Sequence, residues 1–449
     1  MVVALAAGAI VRLTALPIAG TPDVDAWKAW SYHATVEGVP LLYGVGGSSP
    51  ERPLFGFRNL EPIPTDYPPL ALYELGVLGH VYAAATGGRF TDGLPLTFAI
   101  KLFILAFDAA LAVALFVAVD GTIGRDRARA ALAAYAINPA VIVSAAALAY
   151  VDVLFVLPAI GAIAAAVAGH PLTAGALITA AVLTKPQAIF IVPAVMLAIW
   201  NMRGERPARA VACAAAGAAA VSLVVLVPFV ASGATANMVD AFAIYVPRRI
   251  LSMHCFNPWW MVGYGLDAGR AMKLFGATLA SALTVPVREV SIPSMVARGL
   301  PDVSLIAFVL PVSVMAWGLW TARRTRDLFL IAALAAFLVD AYAMLSTDAH
   351  ENHAFAVVPL LLLAAAGRPR FGPVAATVTA TFTLNLLFYG FRLSDRRDFV
   401  LPRALTGLDT TLLIAAVNCV ALVWLAAVLK REAFLADSTA AQRRNPAPC

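Results

Sequence analysis

The chain is a succession of apolar runs, each on the scale of a membrane thickness, joined by short arginine-rich connections. About 20 helical residues cross a hydrocarbon layer of roughly 30 Å, whereas a spanning strand needs an alternation that these runs lack. The runs fall at about 98–119, 129–149, 152–168, 172–184, 187–200, 209–231, 302–320, 327–347, 354–367, 371–390 and 409–429; with residues 1–19 they make twelve. Hydrophobic residues are 61% of the 449 and charged residues 13%, at a mean hydropathy of +0.83, which excludes a soluble domain. The expected class is all-α, a polytopic membrane helical bundle of about 12 transmembrane helices with a large extracytoplasmic first loop.

Charge sets the expected topology. With the N-terminus inside, the cytoplasmic connections carry Arg125, Arg127 and Arg129, then Arg203, Arg206 and Arg209, then Arg323, Arg324 and Arg326, then Arg368 and Arg370, and finally Lys430, Arg431, Arg443 and Arg444. That asymmetry follows the positive-inside rule only if the stretch 67–86, interrupted by Glu74 and His80, is interfacial or re-entrant instead of crossing. The net charge of +6 therefore reports topology, and nucleic-acid binding is excluded. The first run lacks a basic n-region and reads as a retained helix. Four organisational units are expected: a catalytic transmembrane module 1–231 that includes the outer loop 21–97, a second outer loop 232–301, a C-terminal transmembrane module 302–431, and a disordered polar tail 432–449. The runs 172–184 and 187–200 are too short to cross, since 14 residues rise only about 21 Å. They read as a hairpin of half-helices whose turn, Thr184-Lys185-Pro186-Gln187, places a lysine at membrane depth, tolerated only against protein or water.

The outer face so defined collects the chemistry. From the first loop come Asp23, Asp25, Asp66 and Tyr67, beside further acids at Glu37, Glu51 and Glu61. Asp152 follows Tyr150; Lys185 and Gln187 sit in the broken hairpin; Arg248, Arg249, Asn257, Trp259 and Trp260 come from the second loop; Asp348, His350, Glu351, Asn352 and His353 precede a leucine-rich run. A carboxylate beside membrane-edge cations suits sugar transfer from a lipid phosphate: the carboxylate takes a proton from the acceptor hydroxyl, and cations stabilise the departing phosphate. Each residue also has a plainer reading. Asp23 or Asp25 caps a short helix around residues 26–34; Arg248 and Arg249 anchor lipid headgroups; Trp259 and Trp260 form an interfacial aromatic belt. His350 and His353, three apart with no further His or Cys nearby, are a weak metal signal, and no metal or cofactor is expected. The cysteines, Cys213, Cys255, Cys419 and Cys449, are scattered and form neither a disulfide framework nor a ligand cluster.

In chain order these residues resemble the GT-C superfamily of integral-membrane glycosyltransferases, especially the dolichyl-phosphate-glucose glucosyltransferases and the bacterial polyprenyl-phosphate-mannose-dependent mannosyltransferases. Asp23-Val24-Asp25 with Trp30 stands where that family has an acidic pattern and an aromatic helix, and Asp66-Tyr67-Pro68-Pro69-Leu70 with Tyr73 matches its Asp-Tyr-Pro-Pro-Leu element. Lys185-Pro186-Gln187 corresponds to a Lys-Gln pair, Asn257-Pro258-Trp259 to Asn-x-Trp, and His350-Glu351-Asn352 to His-Glu-Lys. The resemblance implies an inverting transferase that moves a hexose or pentose from a polyprenyl-phosphate donor to a lipid-linked or cell-envelope glycan acceptor, outside the plasma membrane. It makes Asp23 the base, with Asp25 or Asp66 in support. Two positions depart: Asn352 replaces the lysine, and Ala149-Tyr150-Val151-Asp152 replaces a Gly-Gln-x-Asp. The rival readings are a lipid-linked sugar transporter or flippase, which also uses broken helices and a buried lysine, and a non-catalytic partner in envelope assembly.

Overall fold

The computed structural model describes residues 1–44, 65–91, 93–202, 206–243, 249–275, 291–393, 404–405 and 408–444. In order, the helices are α1 (Val2–Ala15), α2 (Asp23–Val36), α3 (Pro69–Thr86), α4 (Leu94–Ile123), α5 (Arg125–Ala136) and α6 (Pro139–Ala147). Then come α7 (Asp152–Val167), α8 (Pro171–Thr184), α9 (Val192–Trp200), α10 (Pro207–Ala231), α11 (Thr235–Ala243) and α12 (Pro258–Phe275). The last are α13 (Ile292–Val296), α14 (Ser304–Ala322), α15 (Leu328–Leu345), α16 (Val357–Gly367), α17 (Gly372–Leu393) and α18 (Thr410–Arg444). A two-residue antiparallel pair, Ala404–Leu405 with Leu408–Asp409, is the only β-structure with named strands among the described residues.

The protein is an all-α polytopic membrane bundle, and every expected apolar run is helical. Six helices are long and apolar enough to cross a membrane, or seven if the bent pair α5 and α6 counts as one span; α1, α7, α8, α16 and the segment 186–200 are apolar but shorter. Burial separates centre from rim. In α15, 89% of the apolar window is buried inside the protein, against 22% to 28% in α4, α10 and α14, so α15 is the axial helix and the others turn most of their surface to lipid.

Small residues set the spacing. A Cβ on Gly217 of α10 would lie 2.0 Å from the Leu172 carbonyl of α8, and one on Gly175 of α8 would lie 2.0 Å from the Ala214 carbonyl of α10. The two backbones therefore touch without intervening side chains, the close approach that small residues allow between helices in lipid. Two buried cations tie the N-terminal helices together. Lys101 of α4 donates to the carbonyls of Ala15 (3.2 Å), Ile18 (2.6 Å) and Ala147 (2.9 Å), satisfying acceptors beyond the ends of α1 and α6. Arg12 of α1 pairs with Asp108 at 2.6 Å and donates to the Ala136 carbonyl at the end of α5.

Several sequence expectations are corrected. The stretch 21–97 is not chiefly loop: α2 begins at Asp23 itself and α3 fills residues 69–86, while Glu51 and Glu61 lie outside the described residues. The run 129–149 is not one helix but breaks by 46° between α5 and α6, where Asn138 accepts from the Ala140 and Val141 N–H groups and Pro139 begins a new turn. The second loop contains α11, α12 and α13. The tail is not disordered after Arg431: α18 continues to Arg444, and its buried Glu432 pairs with Arg368 (3.3 Å) and Arg370 (2.6 Å). A charged residue in a tail-like sequence thereby becomes a fastener for the turn after α16.

Gly217→Val is expected to destabilise the bundle by about 2 kcal/mol or more, because the α8 backbone has no flexible group that can yield. Thermal unfolding in detergent checks it, with the exposed Leu223→Val of α10 as a neutral control.

Candidate functional site

Four segments from distant parts of the chain meet beside α2. The chain enters α2 through Gly20, whose φ of 88° is the left-handed conformation that glycine adopts without strain. The Thr21 N–H then bonds the Leu148 carbonyl at 3.2 Å, and Trp27 Nε1 bonds the Ala149 carbonyl at 3.3 Å. Both acceptors belong to the link between α6 and α7. There residues 142–147 are wound as a π-helix, and Ala149 takes a φ of 60°, local strain of a kind that gathers at functional sites. This link delivers Tyr150 and Asp152 to the start of α2.

The Asp-Tyr-Pro-Pro element arrives from the other side. The Tyr67 ring packs on Trp27 and Trp30 at centroid distances of 4.8 and 5.6 Å, the Tyr67 carbonyl accepts from the Tyr43 hydroxyl, and Pro69 opens α3. Tyr67 is thus an anchor that holds Asp66 within electrostatic range of Asp23.

Asp23 is the first residue of α2 and makes no side-chain cap hydrogen bond, so the capping reading does not describe it. Burial raises its pKa to about 6; Lys185 pulls it down, and Asp66 and Asp152 push it up. Asp25 lies two residues further along the helix, half exposed, 3.8 Å from Lys28. The two acids therefore differ in exposure, and Lys185 acts electrostatically on the buried Asp23.

Lys185 sits between the end of α8 and a 3₁₀ turn over Pro186–Phe190, in extended backbone that the following proline imposes. It is 3% exposed and forms an ion pair with Asp152, which is 1% exposed. The second Asp152 oxygen accepts from Asn352 at 3.4 Å, so the asparagine standing where the family pattern has a lysine is a donor to the lysine's own partner. One residue before it, Glu351 accepts from the Tyr150 hydroxyl, and burial raises its pKa to about 7 against the lowering effect of that bond.

His353 is buried, and burial, reinforced by His350 and Lys185, holds its pKa well below the usual imidazole value. Its Nδ1 accepts from the His350 N–H at 3.3 Å and lies 3.0 Å from the Tyr342 hydroxyl. A nitrogen that accepts from a backbone N–H carries no proton, so the neutral ring is protonated on Nε2. Nε2 lies 2.8 Å from the Gln187 carboxamide, and the bond is made when the amide oxygen faces it, which turns the Gln187 NH₂ toward the buried position that otherwise holds an oxygen without a partner. His353 is therefore a neutral orienting group, and Gln187 offers a donor.

The remaining expected residues divide. His350 is 31% exposed and its Nδ1 lies 4.0 Å from Glu351. Asn257 is fully buried; its Nδ2 donates to the Ala343 carbonyl at 3.1 Å and its Oδ1 accepts from the Trp260 N–H at 3.0 Å, bonds that fasten the start of α12 to the end of α15. Arg249 pairs with Asp302 and donates to Ser304 at 3.0 Å at the surface. Arg248 lies outside the described residues. Trp259 and Trp260 form no interfacial belt: they are 9% and 2% exposed and bond the Leu345 carbonyl and the Thr411 hydroxyl at 2.8 and 2.9 Å. The sequence gives Tyr150 no role and Asn352 only a place in the outer cluster, because the partners that define them, Glu351 and Asp152, are 201 and 200 residues away. Among the described residues no group of three or more His, Cys, Asp or Glu side chains is arranged to hold a metal ion.

No family model matches the chain, and no curated protein matches it. Among solved structures it is similar to the archaeal oligosaccharyltransferase AglB from Archaeoglobus fulgidus, in complex with an inhibitory peptide and a dolichol-phosphate, at 14% identity and a TM-score of 0.40. The similarity covers 96% of this chain and 55% of that one, so the chain spans about half that protein's length. A likeness of that size leaves the functional reading to the chain's own residues.

Removing one member of the Lys185 and Asp152 pair strands the other in a dry site. Lys185→Met alone is expected to cost about 3–5 kcal/mol of stability. The double variant Lys185→Met with Asp152→Leu is expected to recover most of that loss, read as thermal unfolding in the same lipid.

Proposed function

We propose that the protein is an inverting glycosyltransferase of the GT-C kind, working at the extracytoplasmic face of the plasma membrane on a polyprenyl-phosphate sugar. The observation that carries this reading is that the buried Asp23 carboxyl lies within electrostatic range of Lys185, a buried cation 162 residues later, and of the Asp66 and Asp152 carboxylates. Among the described residues no salt bridge or side-chain hydrogen bond engages the Asp23 carboxylate, which suits a group whose task is to receive a proton.

In the proposed reaction the ionised Asp23 carboxylate takes the proton of an acceptor hydroxyl as its oxygen attacks the anomeric carbon. The bond from that carbon to the phosphate oxygen breaks, and its electron pair leaves with the polyprenyl phosphate. Attack opposite the leaving group inverts the configuration in one displacement. Lys185 and the Gln187 NH₂ stabilise the phosphate charge as it grows, and Asp152 with Asn352 fixes the lysine's direction. Burial, with Asp66 and Asp152 adding to it against Lys185, raises the pKa of Asp23 toward the working range of a general base. Arg249 and His353 are left out of the phosphate site, the first being paired with Asp302 and the second neutral. The acceptor is a lipid-linked or cell-envelope glycan, and the donor sugar a hexose or pentose.

The test supplies purified protein in lipid nanodiscs with radiolabelled polyprenyl-phosphate sugars and extracted glycolipids. Asp23→Asn is expected to lower turnover by about 10²–10⁴-fold while donor binding persists. Label that crosses liposomes without forming a glycosidic bond would identify a carrier instead.

The pH profile gives a second check. Because the pKa of Asp23 is raised to about 6, its active, ionised form is lost as pH falls through that value. The rate of the chemical step is expected to drop on the acid side with a midpoint near 6. A profile flat well below that midpoint would remove Asp23 from the role of base.

A further inference from the structure

At the end of α15 opposite Tyr342 and the candidate site, two helix connections meet the last helix. α15 has 18 residues, so this end lies about 27 Å from the site along the helix axis. Arg368 and Arg370 stand in the turn between α16 and α17, Asp327 caps the start of α15, and Glu432 comes from α18. Arg368, Arg370 and Glu432 line, with Gly367 and Pro369, a cavity of about 400 Å³, the size of a small-molecule site. Two tryptophans mark its depth: Trp200 closes α9 and Trp320 lies near the end of α14, 58% and 66% exposed, and the Arg323 guanidinium lies 4.0 Å over the Trp320 ring. Asn201 donates to the Arg323 and Thr325 carbonyls at 2.8 and 3.1 Å, which brings the end of α9 to the connection that leads into Asp327. Exposed indoles at the ends of apolar helices lie at the level of lipid headgroups.

The acids of this group are engaged, and one arginine is only half engaged. Asp327 Oδ1 accepts from the Phe329 and Leu330 N–H groups, both at 3.0 Å, and its Oδ2 accepts from Arg368, also at 3.0 Å. Glu432, 3% exposed, accepts from Arg368 at 3.3 Å with Oε2 and from Arg370 at 2.6 Å with Oε1. Arg368 thus uses both of its terminal nitrogens. Arg370 uses Nη1 alone: its Nε and Nη2 have no hydrogen-bond partner among the described residues, and the side chain is 50% exposed. What remains is one open guanidinium edge, Nε–H beside Nη2–H, oriented by a buried carboxylate. Such an edge is the fork that donates to two oxygens of one phosphate. Arg326, Lys430 and Arg431, within two residues of the acids in sequence, are exposed and add positive charge.

We infer that this cavity binds the headgroup of one anionic phospholipid, its phosphodiester taken by Nε and Nη2 of Arg370. The exposed cations decide the class of lipid: a choline or ethanolamine headgroup brings its own ammonium among them, whereas a glycerol headgroup brings none. The bound phosphate adds a negative charge where both protein carboxylates are already spent, and it fastens the turn after α16 at the membrane boundary. The inference is independent of glycosyl transfer, and its readout is binding, not turnover.

The experiment follows thermal unfolding of the delipidated full chain in neutral detergent, titrated with phosphatidylglycerol, with phosphatidylcholine of the same acyl chains, or with sodium phosphate at constant ionic strength. Native mass spectrometry counts the lipid retained. A ligand that binds only the folded state raises the midpoint with the logarithm of its concentration. The expected result is such a rise with phosphatidylglycerol, one molecule retained per chain, and no comparable rise with phosphatidylcholine or phosphate. Arg370→Gln is expected to weaken the apparent phosphatidylglycerol affinity about ten-fold through loss of the charged fork. Arg127→Gln removes the same charge from an exposed position on α5 and is expected to leave that affinity unchanged. Arg370→Lys keeps a charge beside Glu432 without the fork; it is expected to weaken binding several-fold and decides the matter if Arg370→Gln does not fold. Equal responses to the two lipids, a loss in Arg127→Gln as large as in Arg370→Gln, or an affinity unchanged in the Arg370 variants would overturn the inference. A response to inorganic phosphate as strong as to phosphatidylglycerol would overturn the lipid assignment and leave a site for a soluble phosphate.

Discussion

The ion pair of Lys185 with Asp152 is the contact around which the candidate site is arranged. Both groups are at most 3% exposed, and a charge so placed is tolerated only when its partner and the remaining hydrogen bonds are supplied. Supplying them draws in the break after α8, the π-wound end of α6, and Asn352 before α16. Each of these is a departure from regular helix. The same arrangement sets an acid from the start of the chain, Asp23, opposite the lysine.

How much of this was legible depended on the range of the physics involved. Apolar runs of membrane length are a local property, so the helical class and the position of every run followed from the sequence. The short runs flanking Lys185 were equally plain, since a proline breaks the helix there and a lysine in hydrocarbon needs protein or water against it. Boundaries set by tertiary contact were hidden. Nothing local shows that α18 continues past Arg431, because the reason is Glu432 meeting Arg368 and Arg370 from another part of the chain. Likewise the break between α5 and α6 is written in Asn138-Pro139, but a hydropathy window averages across it.

The site divides along the same line. Asp23, Asp66, Lys185 and Gln187 stand in motifs that can be read along the chain, whereas side chains whose hydrogen bonds orient others leave no local signal. Asn257 reads as a substrate contact in sequence and is buried in the structure, its carboxamide bonded to three backbone groups. His353 is held neutral, because burial beside His350 and Lys185 disfavours its charge. Asn352 and Tyr150 complete the pairings of Asp152 and Glu351 from parts of the chain about 200 residues away, which no local pattern shows.

The central claim is that the phosphate of a lipid donor is received between Lys185 and Gln187 with its sugar turned toward Asp23. A cryo-electron microscopy map of the protein with a non-reacting polyprenyl phosphonate sugar tests this most directly. Phosphonate density is expected in hydrogen-bonding contact with Lys185 Nζ and the Gln187 amide, with the anomeric carbon on the side of Asp23. Density at the opposite face of the bundle, or on the far side of α2 from Lys185, would contradict it.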